Sequence, residues 1–174
     1  KRLGELSRRA LDAYAPDAAT FGGAIGLDAA LADTVYARVL EKLAREPVED
    51  FRIDFEDGYG NRSDEEEDGH AMAAAQQVAA GIVNGTLPPF LGIRIKPLTR
   101  DLGARSLRTL DVFLTELVGA TNGRIPDNFV VTLPKIQAKD DVQTLVDVFE
   151  LLEDRLDLDH GSLKMEIMVE TTQT

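Results

Sequence analysis

The sequence predicts an α/β fold of parallel strands alternating with helices: a (β/α)8 TIM barrel, of which this chain covers about the second to fifth β/α units. Three observations predict it. Short apolar runs at residues 51–55, 91–95, 129–133 and 164–170 are separated by single helical stretches, the alternation of right-handed crossover units. Each run ends in charged residues, Asp54-Phe55-Glu56-Asp57, Arg94-Ile95-Lys96, Pro134-Lys135 and Val169-Glu170, and parallel strands deliver their carboxyl ends to one mouth. Side-chain parity then opposes an apolar set (Phe51, Ile53, Phe55; Leu91, Ile93, Ile95) to a partly charged one (Arg52, Asp54, Glu56; Gly92, Arg94, Lys96). An open sheet covered on both faces wants both sets apolar, whereas a barrel can point polar side chains inward, so the barrel is expected.

The elements follow in order. Residues 3–14 have the spacing of a short amphipathic helix that Pro16-Asp17 stops, and residues 21–26, with three glycines, read as a loop. Asp28 caps a helix running to about residue 44, with Leu31, Val35, Val39, Leu40 and Leu43 as its apolar stripe. After the first strand, Ser63 with Glu66 three residues on matches a capping box, and an Ala-rich helix over 71–83 ends at Gly85 and Pro88-Pro89. Helices over 104–118 and 140–152 complete the alternation. The domain is read as single, with N-terminal helices and loop in 1–50 and successive β/α units in 51–174.

Composition narrows the function. The 174 residues carry 31 acidic against 19 basic side chains, a net charge of −12, with no Lys/Arg cluster that could track phosphates, so nucleic acid and anionic membranes are not expected partners. An anionic substrate then needs its own local cations. Cysteine is absent, which excludes disulfides and a Cys nucleophile and fits a reducing, cytoplasmic setting.

The strand ends supply the chemistry. Asp54, Glu56 and Asp57 would repel one another unpaired, and inward Arg94 is their natural partner. On that reading Glu56 or Asp54 orients Arg94, whose planar fork binds a substrate carboxylate. The plainer reading is an internal ion-pair ring that only fixes the fold, the role expected of Arg52 and Glu166. Glu170 closes an apolar strand, a position suited to a hard cation such as Mg2+. Lys135 could bind a carboxylate or phosphate, or form a Schiff base if desolvated, and Thr132 shares its inward parity. His70 and His160 lack metal-pair spacing, and there is no P-loop or nucleophile elbow.

Taken in order, the strand ends resemble the HpcH/HpaI aldolase and citrate lyase β-subunit family of the pyruvate/phosphoenolpyruvate barrel superfamily. Members show an Asp-Leu-Glu-Asp type strand, an Arg-Ile-Asn strand, a Pro-Lys strand and a strand ending in an Ile-Glu-Thr motif. The matches here are Asp54-Phe55-Glu56-Asp57, Arg94-Ile95-Lys96, Leu133-Pro134-Lys135 and Val169-Glu170-Thr171. Lys96 stands where the family has Asn, and the Asp57-Gly58-Tyr59-Gly60 turn marks a divergent branch. The resemblance implies a metal-dependent carbon–carbon lyase or aldolase acting on a small oxo- or hydroxy-acid, or its CoA thioester, through an enolate stabilised by Mg2+ or Mn2+. It assigns Glu170 to the metal, with a second ligand expected beyond Thr174 and the first strand before Lys1, so the chain itself would hold an incomplete site. Arg94, Glu56, Asp57 and Lys135 are then catalytic, and Arg94, Lys96 and Thr132 bind substrate. A partial barrel also implies a homo-oligomer or further chain to cover its strand edges. Two alternatives stand beside it: phosphoenolpyruvate-type phosphotransfer or phosphate binding, with Arg94 and Lys96 on the phosphate, and a non-catalytic binding or assembly subunit.

Overall fold

The computed structural model describes residues 2–174, which divide into two compact units at the Asp50/Phe51 junction. The first holds three helices, α1 (Arg2–Tyr14), α2 (Ala18–Ile25) and α3 (Ala29–Arg45). Asp17 caps α2 by accepting the Thr20 N–H at 2.8 Å, and Gly26 closes it in the left-handed region. Gly22 packs against Ala32 of α3, and Tyr36 of α3 donates a hydrogen bond to the Ala15 carbonyl at 3.1 Å. The segment read as a glycine loop is therefore a helix. Gly22 serves close packing and Gly26 the left-handed cap, and the overlooked start signal was Asp17, three residues before Thr20.

The second unit carries strand β1 (Asp50–Asp54, which begins at its boundary), α4 (Asp64–Asn84), β2 (Phe90–Arg94), α5 (Gly103–Thr121), β3 (Phe129–Leu133), α6 (Lys139–Leu156) and β4 (Lys164–Ile167). The strands lie in the order β1-β2-β3-β4, with β2–β3 and β3–β4 pairing parallel. Each expected strand is present, displaced by at most a residue or two at its start. The last one is shorter than expected and leaves Glu170 in the loop that follows it.

The helices begin and end where their caps place them. Ser63 accepts the Glu66 N–H at 3.2 Å, four acidic residues occupy the first turn of α4 where the helix dipole favours them, and Gly85 closes it in the left-handed region. Ala71, Ala75 and Ala79 are buried along this helix, so its small face lies close to the sheet. Leu110, Phe113, Leu114 and Leu117 of α5 and Leu145, Phe149 and Leu152 of α6 complete the layer over Leu91, Ile93, Val131 and Leu133. Phe113 stacks on Phe129 with ring centres 5.8 Å apart.

The barrel expected from parity is not formed. The described residues make an open four-stranded sheet with β1 and β4 at its two edges. Parity divided the faces for most of the apolar set, since Ile53, Phe55, Leu91, Ile93 and Ile95 pack in the core with α4 to α6 while Phe51 stays half exposed, but a polar face does not require closure. Here it is satisfied across an open sheet: the Arg52 guanidinium reaches Glu166 at 2.7 Å, and the Thr132 hydroxyl donates to the same carboxylate at 2.8 Å. Gly92, which offers no side chain on that face, has the Val130 carbonyl where a Cβ would project. Among the described residues no helix is long and apolar enough to cross a membrane.

Candidate functional site

Parallel strands place the carboxyl ends of β1, β2 and β3 side by side, and the backbone carries this register past the strands. The Phe55 N–H donates to the Arg94 carbonyl, the Ile95 N–H to Thr132, and the Met168 N–H to Leu133. Just beyond β1 the chain folds back on Asp54. Its Oδ1 accepts the Glu56 N–H at 2.9 Å and its Oδ2 the Gly58 N–H at 2.8 Å, an arrangement that short acidic side chains favour in turns. That turn lifts Glu56 and Asp57 to the mouth.

Arg94 meets the same carboxylate side-on. Its Nε lies 2.8 Å from Oδ1 and its Nη2 2.6 Å from Oδ2, the two-point geometry that carboxylates and guanidinium groups share. The Arg94 bond is the main cause that holds the Asp54 carboxyl down at about 2; burial opposes it, and the two backbone N–H groups assist. The remaining nitrogen, Nη1, lies 3.5 Å from Glu56 Oε2 and 3.8 Å from Met168 Sδ. Arg94 is thus gripped by one edge and offers another.

Lys135 fills the space between the two other acids. Its ammonium donates to Glu56 Oε1 and, at 2.6 Å, to Asp57 Oδ1. These carboxylates, Asp57 foremost, hold its pKa above the ordinary lysine value, and Asp57 is lowered in return. A Schiff-base nucleophile needs the opposite shift, so the geometry favours Lys135 as a permanent cation. Its backbone sits at φ 49°, in the left-handed region, and its N–H donates to Glu170 Oε1 at 2.8 Å. Arg94, Glu56, Asp57, Lys135 and Glu170 therefore come together at one mouth.

Lys96 and Thr132 lie elsewhere. Lys96, two residues past Arg94 and outside the strand, is 7% exposed. It donates to Glu67 Oε2 at 2.6 Å and to the Phe55 carbonyl at 2.7 Å, and its ammonium lies over the Tyr59 ring. Thr132 joins the Arg52–Glu166 pair lower on the polar face. Sequence reasoning missed Glu67, which is 1% exposed and also takes the Thr109 hydroxyl at 2.5 Å. The signal was its spacing, since residues 67, 71, 75 and 78 share one buried helical face. Met168 was likewise missed as a neighbour of Arg94.

Among the described residues no three His, Asp or Glu side chains converge as ligands for one ion. Glu170 offers one carboxylate, while Glu56 and Asp57 already enclose an ammonium. Mg2+ takes about six oxygen ligands. The donor set as placed supplies one expected ligand and does not by itself fit the ion.

Comparison with curated proteins and with solved structures gives no match. One family model, described as a domain of unknown function (DUF6986), matches residues 1–174, the whole chain given, and the chain belongs to that family.

Proposed function

We propose that the strand-end group binds a small organic acid on Arg94 and serves carbon–carbon bond cleavage of a small oxo- or hydroxy-acid, or its CoA thioester. The observation that carries this reading is the two-point grip of Asp54 on Arg94, which pre-orients a guanidinium and leaves Nη1 held only by a 3.5 Å ion pair to Glu56 and by the Met168 sulfur. Pre-orientation lowers the ordering cost of binding. Cleavage next to a carbonyl leaves an enolate, and fixed positive groups stabilise that developing charge. Arg94 Nη1 and the Lys135 ammonium are the two available here. The ordered strand ends, which resemble those of HpcH/HpaI aldolases and citrate lyase β-subunits, support the same chemistry, and the proposal routes no step through a metal. A cytoplasmic setting suits the cysteine-free composition.

The phosphate-centred alternative needs Lys96 beside Arg94, and the burial of Lys96 against Glu67 gives it no support. The test is cleavage of a panel of 2-oxo acids, 3-hydroxy acids and their thioesters, with and without Mg2+ or Mn2+, followed by release of the 2-oxo acid or thioester product. Arg94→Ala is expected to abolish product release with an unchanged circular dichroism spectrum. Turnover that survives Arg94→Ala removes Arg94 from the reaction. Arg94-dependent binding with no cleavage of any panel member would make the domain a binding subunit.

A further inference from the structure

The two oxygens of Glu56 have unequal surroundings. The residue is 8% exposed, and Oε1 accepts from the Lys135 ammonium. Oε2 is buried and has no hydrogen-bond donor. Arg94 Nη1 forms an ion pair with it at 3.5 Å, too long for a good hydrogen bond, and the same nitrogen donates to the weakly accepting Met168 sulfur at 3.8 Å. A buried carboxylate oxygen without a donor costs free energy that folded proteins ordinarily avoid, and such an exception calls for an explanation. Here the two groups share an ion pair, while Oε2 has no hydrogen-bond donor and Nη1 donates only to sulfur.

We infer that Glu56 Oε2 accepts the hydroxyl hydrogen of a hydroxy acid whose carboxylate sits on Arg94 Nη1, so that the site selects hydroxy acids over their oxo and deoxy counterparts. This rests on the carboxylate-binding reading above and adds the second functional group of the ligand. The class follows from hydrogen-bond polarity. An oxo group has no hydrogen to give and turns its lone pairs toward a carboxylate. A deoxy carbon leaves Oε2 as bare as before. A site built around a ligand hydroxyl discriminates strongly against the analogue lacking it, because its own polar group is then left unpaired. The Lys135 side chain on Oε1 of the same carboxylate is 39% exposed.

The test is calorimetric titration of the full chain with malate, oxaloacetate and succinate, which share a four-carbon dicarboxylate frame and differ at one position. Wild type is expected to bind malate at least about tenfold more tightly than either of the others. Glu56→Gln puts an amide, which donates as well as accepts, at this position. Its preference should fall to within about twofold or turn toward oxaloacetate. Glu56→Asp withdraws the oxygen while keeping the charge, and should lose the discrimination too. Equal affinities in wild type, or an undiminished malate preference in both variants, overturn the inference. Binding that depends on Arg94 but ignores the hydroxyl defeats the hydroxyl assignment alone. Absence of all binding, or binding indifferent to Arg94→Ala, defeats the carboxylate-site reading and this inference with it.

Discussion

Asp54 holds Arg94 by both carboxylate oxygens while those same oxygens accept the backbone N–H groups of Glu56 and Gly58. One side chain therefore fixes the proposed binding group and also the turn that carries its neighbours. Damage to Asp54 should reach the site by two routes, and the pH dependence of stability offers a way to see it.

The Asp54 carboxyl is held at about 2, below its ordinary 3.8, chiefly by the Arg94 guanidinium. Between those values the unfolded chain binds more protons than the folded one, so stability rises with pH across the window. The contribution is complete above about pH 5 and is lost as the pH falls through 2. By the usual conversion it amounts to about 2 kcal/mol at neutral pH. Asp54→Asn should show that loss in urea unfolding at pH 7, and its gap to wild type should close as unfolding is followed down to pH 2. A gap independent of pH would mean the charge on Asp54 is not what stabilises the turn.

Gly58 reports on the same carboxylate without touching a ligand. A Cβ there would run into Asp54 Oδ2, so Gly58→Ala must displace either the turn or the acid. The expected result is weaker binding of a carboxylate ligand by about tenfold, with a stability loss of roughly 1–3 kcal/mol. Unchanged affinity in a destabilised Gly58→Ala would separate the turn from the site.

Much of this was legible before any coordinates, and the misses have physical causes. Strand positions, the polar and apolar faces and the meeting of Arg94 with its acids all follow from period-two parity and parallel pairing. Parity says nothing about closure, which depends on what lies beside the edge strands, and the barrel expectation failed there. It also ends with the strand. Lys96 shares the parity of Arg94 in sequence but lies past the end of β2, where the backbone is free to turn its side chain toward α4. Glu67 was hidden among five consecutive acidic residues, three of which are exposed, because a charge run is ordinarily solvated.

The Lys96–Glu67 pair makes its own prediction. Both partners are buried, and Glu67 is further held by the Thr109 hydroxyl and, at 3.5 Å, by Arg105. Removing Lys96 takes away the closer of Glu67's two cations and costs at most about 3–5 kcal/mol, the figure for an uncompensated buried charge, whereas replacing both partners with apolar groups is cheaper. Lys96→Met should lower the urea midpoint sharply, and Lys96→Met combined with Glu67→Met should recover most of the loss. A double variant no more stable than the single one would show that the pair's other bonds, to Thr109 and the Phe55 carbonyl, dominate.

Lys135 couples a backbone cost to the proposed chemistry. At φ 49° it occupies a conformation that a side chain with a Cβ rarely adopts. In return, its ammonium lies between Glu56 and Asp57 and its N–H lies on Glu170. Glycine would relieve the backbone and methionine would not, while both remove the charge. Lys135→Gly should therefore be more stable than Lys135→Met by about 1 kcal/mol, the cost of a left-handed residue less the added freedom of glycine. Neither variant should bind a small carboxylate as wild type does, because Glu56 and Asp57 would face the incoming anion uncompensated. Lys135→Arg retains the cation and should keep measurable affinity. Denaturation midpoints and ligand titrations on the three variants check both halves. Wild-type affinity in Lys135→Gly would take the ammonium out of the site, and equal stability of the glycine and methionine variants would show that the left-handed backbone costs nothing here.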